Sequence, residues 1–148
     1  MPSNTPSDLT FESLSVSAHF IDPSGQPTEH PIEIRTNPIS GRTCRIALSR
    51  VHEKEAATDS LPNPPPDANE TLQCPFCSPQ VTSKTPRLHP ELADSDRLPW
   101  GGSLLFPNLF PYGSYSAVSL FNDDHFVEIG KASVSSYGDS FLNCIQYL

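Results

Sequence analysis

The chain has few basic residues and no long apolar run. It carries nine Lys and Arg residues against 17 Asp and Glu, for a formal net charge of −8. Binding to the phosphate backbone of DNA or RNA needs a surplus of cationic side chains, so this charge argues against a nucleic-acid partner. No stretch approaches the ~20 apolar residues of a membrane helix, and the N-terminus has no secretory pattern. We expect a soluble, cytoplasmic protein with no membrane partner.

Glycine is also scarce, whereas proline is abundant. The 148 residues include 7 glycines and 17 prolines, and the hydrophobic fraction is 36%, below the roughly 45–50% that is usual for globular proteins. This length is typical of one domain, and the prolines predict an irregular, loop-rich fold. The four cysteines, without an export signal, favour reduced thiols or metal ligation over disulfides.

The first third of the chain predicts a β-meander. Residues 1–8 read as a disordered leader, and the ordered domain is predicted to span 9–148. Apolar residues alternate with serine or histidine in the first predicted strand, as in a half-buried strand: Leu14, Val16, Ala18 and Phe20. A second strand is predicted at Ile32–Thr36. A third follows, in which Cys44, Ile46 and Leu48 share one face.

Proline-rich stretches interrupt the middle of the chain. Residues 52–73 contain Pro62-Asn63-Pro64-Pro65-Pro66 and are predicted to form a surface loop. Residues 79–100 are also predicted to be loop-like. Short strands are then expected at 103–106 and 116–121, with 125–129 continuing the sheet.

A terminal helix is predicted after residue 138, with Asp139 as its N-cap. An apolar stripe at helical spacing should lie on the sheet, with Cys144 beside it: Phe141, Leu142, Ile145 and Leu148. Because no capping residue precedes the end of the chain, the helix is expected to stop in mid-pattern, which suggests a truncated domain. Together these elements predict an α+β fold, an antiparallel sheet with a packed helix.

Four of the nine basic residues fall within a short span: Arg35, Arg42, Arg45 and Arg50. They could form a local anion site. They could equally occupy the solvent face of strands, and spacing alone does not separate the two interpretations.

The strongest chemical motif is Cys74-Pro75-Phe76-Cys77. A Cys-x-x-Cys turn brings two thiolates close enough to chelate one tetrahedral ion. A redox pair would instead begin a helix after a strand, and two unligated thiols remain a third interpretation. Of the five histidines, His125 is the best-placed further ligand because it follows a predicted strand through a short turn. The alternative is an ordinary surface histidine, the usual case at a strand edge. Asp123 or Asp124 could accept its second ring proton.

Several motifs occur in the order and spacing of one known family. They are Asn37-Pro38-Ile39-Ser40-Gly41 through Arg50, Cys74-x-x-Cys77, Thr85-Pro86, Phe106-Pro107-Asn108-Leu109-Phe110-Pro111, and Val118 through His125. This pattern resembles the N-terminal part of galactose-1-phosphate uridylyltransferases and their relatives in the histidine-triad superfamily. The resemblance covers roughly residues 35–125.

The resemblance implies a histidine-triad-like fold and transfer of a nucleotidyl group through a covalent histidine. It implies Zn²⁺ as cofactor, with Cys74, Cys77 and His125 as ligands. It also implies a nucleotide or nucleotide-sugar site at four positions: Arg50, Phe106, Asn108 and Val118. An aromatic ring and a branched aliphatic side chain can pack on a base, while an amide and a guanidinium can bond to ribose or phosphate.

The sequence departs from the family at chemically important positions. Glu53 stands where a second arginine is expected, and Leu109 replaces an acidic residue. The family's His-x-His-x-Gln motif, which supplies the nucleophile and a fourth zinc ligand, occurs nowhere in the 148 residues. The first hypothesis is therefore the N-terminal portion of a nucleotidyltransferase, inactive alone, that forms a homodimer or binds a complementing C-terminal half. The alternatives are a non-catalytic, zinc-braced module that binds a nucleotide or a protein, and a zinc-ribbon-like interaction domain.

Overall fold

The fold combines two antiparallel sheets with a C-terminal helix. The computed structural model describes residues 11–47, 74–128 and 130–148. Within them the elements are β1 (Glu12–Ile21), β2 (Pro27–Thr36), β3 (Thr43–Ala47), α1 (Gln80–Lys84), β4 (Arg87–Leu88), β5 (Leu98–Trp100), β6 (Ser103–Pro107), β7 (Ala117–Leu120) and α2 (Val134–Tyr147). The strand orders are β3-β2-β1-β4 and β5-β6-β7. The predicted α+β class with antiparallel strands is confirmed.

The first sheet is the meander that the alternating pattern predicted. β1 pairs antiparallel with β2, placing Val16 opposite Ile32. Ala18, Phe20 and Ile32 are buried, whereas Leu14, on the same face of β1, is exposed. The alternation therefore identified the inward face of β1, but only its second half contributes to the core.

β2 begins five residues earlier than predicted. Pro27 and Pro31 both lie in the strand. Among the described residues, β2 pairs with β3 over Ile32–Thr36 and with β1 over Pro27–Thr36. Proline is tolerated at the first residue of a strand, which is the position of Pro27.

The prediction that residues 79–100 lack regular structure is wrong. Pro79 immediately precedes α1, a position where its missing N–H costs nothing. β4 follows and pairs with the end of β1. Pro99 lies in β5, at the edge of the second sheet, where a strand accepts proline.

The second sheet holds some of the most deeply buried residues of the described chain. β6 contains Leu105 and Phe106, which are essentially inaccessible, and β7 lies within a residue or so of its predicted limits. No strand forms at residues 125–128, so the predicted continuation of the sheet there is wrong. The segment instead leaves β7 as irregular chain, and residue 129 lies outside the described part.

The N-cap prediction for the last helix is wrong. α2 begins at Val134, and Ser133 caps it by accepting a hydrogen bond from Ser136 N at 3.1 Å. Asp139 lies within the helix, and its carboxylate accepts a hydrogen bond from Gly102 N at 3.1 Å. Its charge therefore anchors α2 to the β5–β6 turn rather than capping a helix.

The predicted inward face of α2 is also wrong, because the helix buries its polar side. Asn143 and Ser140 are buried, whereas the apolar stripe is exposed: Phe141, Leu142, Ile145 and Leu148. Asn143 Nδ2 donates to Leu98 O at 2.8 Å and to Ser103 Oγ at 3.2 Å. Ser140 and Ser119 share a hydrogen bond of 2.8 Å. These bonds hold the polar side of the helix on the sheet, with Cys144 half-buried at its margin.

Some predictions fall outside the described residues. These are the leader at 1–8, the loop at 52–73, Leu48 in the third strand and Arg50 in the nucleotide site. Within the described ranges, no helix has both the length and the apolar character needed to cross a membrane.

Candidate metal site and adjoining cavity

Three predicted metal ligands lie together. One donor atom from each of Cys74, Cys77 and His125 lies within 4.8 Å of the other two. The closest pair is Cys77 Sγ and His125 Nδ1, separated by 3.1 Å. Because His125 is 48 residues beyond Cys77, this cluster is a product of the tertiary fold.

The two cysteines lie in a turn that leads into α1. Cys77 N donates to Cys74 O at 3.3 Å, and Phe76 N points to Cys74 Sγ at 3.4 Å. Val81 N then donates to Cys77 O at 2.9 Å, so α1 is hydrogen-bonded directly to the second cysteine. The helix starts three residues after Cys77, which is not the arrangement of a thiol at a helix N-terminus in redox proteins.

His125 reaches the cysteines from the segment after β7. The preceding turn is closed by its own side chains, since Asn122 Nδ2 donates to Asp124 Oδ2 at 2.8 Å. Among the described residues, neither Asp123 nor Asp124 bonds to the His125 ring, so the predicted orienting carboxylate is absent. The imidazole is oriented instead by its contact with Cys77 Sγ.

The environment of Cys77 disfavours its thiolate in the metal-free chain. The side chain is buried, and that burial raises the pKa of Cys77, with the adjacent Cys74 thiol as a further cause. A divalent cation reverses this preference because thiolates are its ligands, and binding then releases protons.

The donor set fits a tetrahedral ion. With a metal–sulfur bond of about 2.3 Å and a metal–nitrogen bond of about 2.0–2.1 Å, ligand atoms lie roughly 3.3–3.8 Å apart. The three donor atoms lie within 4.8 Å of one another, which is within reach of a single ion. Thiolate and imidazole donors suit soft or borderline metals rather than Mg²⁺ or Ca²⁺. All four cysteines are free thiols, as expected of reduced or ligating residues.

An apolar cavity of about 230 Å³ adjoins the cysteine turn. Phe106, Asn108 and Val118, the three described residues predicted for a nucleotide site, all line it. The Phe76 ring, from inside the Cys-x-x-Cys turn, stacks on Phe106 with 6.1 Å between centroids and 19° between planes. Lys84 contributes a cationic side chain to the same wall. The cavity therefore combines aromatic surface with one positive charge.

Asn108 has a structural task that the sequence did not reveal. Its Oδ1 accepts from Phe110 N at 3.0 Å, and its Nδ2 lies 3.4 Å from Ser116 Oγ. Asn108 N also donates to Ser116 O at 3.0 Å. The residue thus holds the loop between β6 and β7 in shape, and its predicted contact with a ribose stays a prediction.

A larger but more open hollow lies away from the cysteines. It measures about 930 Å³ and lies around the β2–β3 turn, where Arg35 and Arg42 line it. Arg35 is already paired, since Nε and Nη2 donate to the two carboxylate oxygens of Glu33 at 2.9 and 2.8 Å. This pairing favours the solvent-face interpretation for Arg35 over an anion site. The smaller cavity has the better-enclosed, aromatic lining, and it adjoins the metal ligands.

Sequence reasoning missed three residues around the site: Phe76, Lys84 and Arg97. An aromatic residue inside the Cys-x-x-Cys turn was the available signal for Phe76, whose ring stacks on Phe106. Arg97 lies 12 residues beyond Thr85, and its guanidinium binds the carbonyl end of α1. Nothing in the local pattern around Arg97 indicates that contact.

The comparisons with known proteins identify one distant relative and no family. A protein of Archaeoglobus fulgidus, which bears only the name "uncharacterized protein", is 26% identical over 129 residues. The match covers 84% of this chain but only 36% of the archaeal protein. No family model matches the chain, and no solved structure matches it significantly. The chain thus spans about a third of the length of this relative.

Proposed function

We propose that this chain binds one zinc ion and the base of a nucleotide, as the N-terminal portion of a nucleotidyltransferase of the galactose-1-phosphate uridylyltransferase type. The fold would then be of the histidine-triad kind. The observation that carries the proposal is the convergence of Cys74, Cys77 and His125 beside a cavity lined by Phe106 and Val118. Both groups of residues come from the motifs that resemble this family.

In this proposal the zinc ion links two segments of the chain that are distant in sequence. Cys74 and Cys77 belong to the turn before α1, whereas His125 belongs to the segment after β7, so one ion joins them. Three protein donors leave one tetrahedral position for a further ligand. A bound ion would hold the Phe76 ring, which lies between the cysteines, against Phe106.

The cavity's own residues suit a nucleotide base. Phe76 and Phe106 offer aromatic faces, and a planar base stacks on such a face for about 1–3 kcal/mol. The Lys84 ammonium could donate a charge-assisted hydrogen bond to a phosphate oxygen of the nucleotide.

We expect binding without turnover from this chain alone. Nucleotidyl transfer needs a nucleophile in line with the phosphorus and donors for the developing charge. The sequence contains no His-x-His motif, and the nitrogen of His125 nearest the cysteines would be occupied by the metal. Incubation with UDP-glucose and a hexose 1-phosphate should give no UMP transfer, and measurable transfer would contradict this part of the proposal.

The metal is tested by elemental analysis of the reduced, purified chain. We expect about one zinc per chain, and its loss in Cys77→Ser and in His125→Ala. Cys44→Ser and His19→Ala are matched controls, because both residues are exposed on the first sheet, and they should keep the metal. A folded chain that takes up no zinc at neutral pH would refute the site.

The nucleotide is tested by calorimetric titration of the zinc-loaded chain with UMP and with AMP. Phe76→Ala should weaken the binding of whichever nucleotide binds by at least about tenfold, because it removes a stacking face. Phe11→Ala is the control, since Phe11 is exposed on β1's flank. Equal effects of the two substitutions would show that the cavity is not the binding site.

A non-catalytic module is the second candidate, because the three donors and the apolar cavity could bind zinc and a ligand without a nucleophile. In that case zinc and the cavity would serve binding only, and no second polypeptide would restore transfer. Adding a C-terminal polypeptide that carries His-x-His-x-Gln separates the two. Restored transfer supports the enzyme portion, and continued inactivity of a stable complex supports the module.

A further inference from the structure

A hollow of about 490 Å³ lies where the β1–β2 turn meets α1. This volume falls within the roughly 300–1,000 Å³ that is typical of small-molecule sites. Arg87 and Arg97 both line the hollow, and we call it the two-arginine hollow. Thr85 is the only described residue that it shares with the apolar cavity beside the cysteines. The two-arginine hollow is therefore distinct from the cavity proposed for a nucleotide base.

The fold brings the two arginines together. Arg87 belongs to β4 and lies opposite Ile21 of β1, so the register of the sheet places it next to the β1–β2 turn. Leu88 N donates to Asp96 O at 2.7 Å, and this bond holds Arg97, the following residue, beside β4. Both arginine side chains are half-buried. Two cationic groups thus line one hollow in a chain with a net charge of −8.

Gly25 leaves space for Arg87 at the β1–β2 turn. Its φ of +89° is a conformation that glycine adopts readily and other residues rarely do. A Cβ at this position would lie 3.3 Å from Arg87 Nη2, which is a tight contact. The absence of a side chain at Gly25 therefore keeps the Arg87 guanidinium uncrowded.

Arg97 is held in place and keeps one donor nitrogen. Its Nε and Nη2 make all of its described hydrogen bonds, which go to Val81 O, to Thr82 O and to both oxygens of Thr85. These two nitrogens form one edge of the planar guanidinium, so Nη1 has no hydrogen-bond partner among the described residues. A donor that is already fixed by its neighbours loses little conformational entropy when a ligand binds.

Arg87 is only loosely paired. Its Nη1 lies 3.7 Å from Asp96 Oδ2, which is longer than a hydrogen bond, and the Asp96 side chain is 65% exposed. In the part of the chain that the structure describes, the Arg87 guanidinium donates no hydrogen bond. Burial lowers the pKa of Arg97, and of the two nearby charges Asp96 opposes that shift while Arg87 adds to it. A bound anion would relieve the repulsion between the two guanidinium groups.

The hydroxyl groups of the hollow already use their protons. Thr82 and Ser83 donate to backbone carbonyls at 2.8 and 3.2 Å, and Ser24 donates to a carboxylate at 2.6 Å. The donors that remain are the two guanidinium groups, so a matching ligand carries acceptors and negative charge. A phosphate monoester has three acceptor oxygens and a charge of about −1.5 to −2 at neutral pH, and guanidinium groups bind such oxygens well.

We infer that the two-arginine hollow binds the phosphate group of a small phosphate monoester, with the Arg87 guanidinium and Arg97 Nη1 as donors. The remaining volume accommodates the group that is esterified to the phosphate. This inference is independent of the metal and of the nucleotide cavity.

The test is a titration of the ¹⁵N-labelled chain with glycerol 3-phosphate at constant ionic strength, followed through the backbone amide resonances. We expect saturable shifts at Ser24, Gly25 and Arg87. Inorganic phosphate should produce the same shifts, whereas acetate should not, because it has one negative charge and two oxygens. Shifts that do not saturate, that lie away from the hollow, or that acetate reproduces would overturn the inference.

Two substitutions should change the affinity in opposite directions. Arg87→Gln should raise the dissociation constant at least about tenfold, because it removes a charge-assisted donor. Asp96→Asn should lower it about two- to fivefold, because it removes the competing carboxylate. Arg45→Gln is the control, since Arg45 is exposed on β3, and it should leave the dissociation constant unchanged.

Circular dichroism checks that each variant is folded. Because Asp96 is mostly exposed, Asp96→Asn keeps the test decisive even if Arg87→Gln fails to fold. A dissociation constant that either hollow substitution leaves at the parent value would show that phosphate binds elsewhere.

Discussion

Arg97 should be the side chain on which the cysteine turn most depends for stability. Its Nη2 lies 3.1 Å from Val81 O and 2.9 Å from Thr85 O, with Thr82 O also at 3.1 Å. Its Nε and Nη2 donate to Thr85 Oγ1 at 3.2 and 3.0 Å. These contacts satisfy the carbonyls at the end of α1, which a helix leaves without intrahelical partners. Burial lowers the pKa of Arg97, but the guanidinium stays charged.

The expected cost of Arg97→Ala follows from these contacts. Hydrogen bonds to charged groups contribute about 1.5–3 kcal/mol, but one nitrogen cannot serve all its acceptors at full strength at once. Thr85 is buried, so without Arg97 its carbonyl oxygen would lose a hydrogen bond that water could not easily replace. We expect Arg97→Ala to lower the free energy of unfolding by about 2–3 kcal/mol. Arg97→Lys should lose about half of that, because an ammonium lacks the planar fork.

The assay is urea denaturation followed by circular dichroism, in chelator and again with equimolar zinc. Arg45→Ala is the control, because Arg45 is exposed on β3, and it should change the free energy of unfolding by less than about 0.5 kcal/mol. Because Val81 N is bonded to Cys77 O, Arg97→Ala should also weaken zinc binding. A loss no larger than that of Arg45→Ala would refute the reasoning. Full recovery with Arg97→Lys would show that charge alone matters.

Two further substitutions test the polar contacts of the fold. Asn143→Asp puts a carboxylate in a fully buried site that faces Leu98 O, which should raise the pKa of the new group. The folded state then prefers the neutral form of the introduced carboxyl group, so the free energy of unfolding should fall as pH rises above about 4. At pH 7 the variant should be about 3 kcal/mol or more less stable than the parent. An equal loss of stability at pH 4 and pH 7 would argue against this reasoning. Hydrogen bonds from Ser24 Oγ and Gln26 N lower the pKa of Asp22, so its stabilising contribution is present above the ordinary carboxyl pKa of about 3.9 and is lost as pH falls through the folded pKa. Asp22→Asn should therefore differ from the parent in urea denaturation at pH 7 but not near pH 2.5, and a difference that persists in acid would contradict that origin.

The strand predictions succeeded where the pattern was local. Alternation along β1 depends on side chains that point to opposite faces of one strand, and it identified Ala18 and Phe20 as inward. Two predictions about the sheets failed. Residues 79–100 were predicted to be loop-like, yet Pro99 lies in β5, which pairs with β6 at the edge of the described sheet, where a strand accepts proline. The strand predicted at 125–129 does not form in the described residues 125–128.

The metal ligands were predicted in two steps. The Cys-x-x-Cys spacing indicated two donors, the strand and turn before His125 made it the best-placed of the five histidines, and the family resemblance then implied all three as ligands. The structure brings His125 to Cys77 by way of the turn that follows β7. The roles of Phe106, Asn108 and Val118 remain predictions, although all three line one cavity.

By itself the sequence determined the features that depend on neighbouring residues: the period of the first strands, the thiol pair in one turn, and the apolar stripe of α2. Tertiary structure decided which way that stripe faces. Helical periodicity gives the angle between the apolar and polar sides but not which side meets the sheet. The sheet offers hydroxyl and carbonyl groups from Ser103, Ser119 and Leu98, and these bind Ser140 and Asn143. The polar side therefore packs inward, and the apolar side of α2 faces outward.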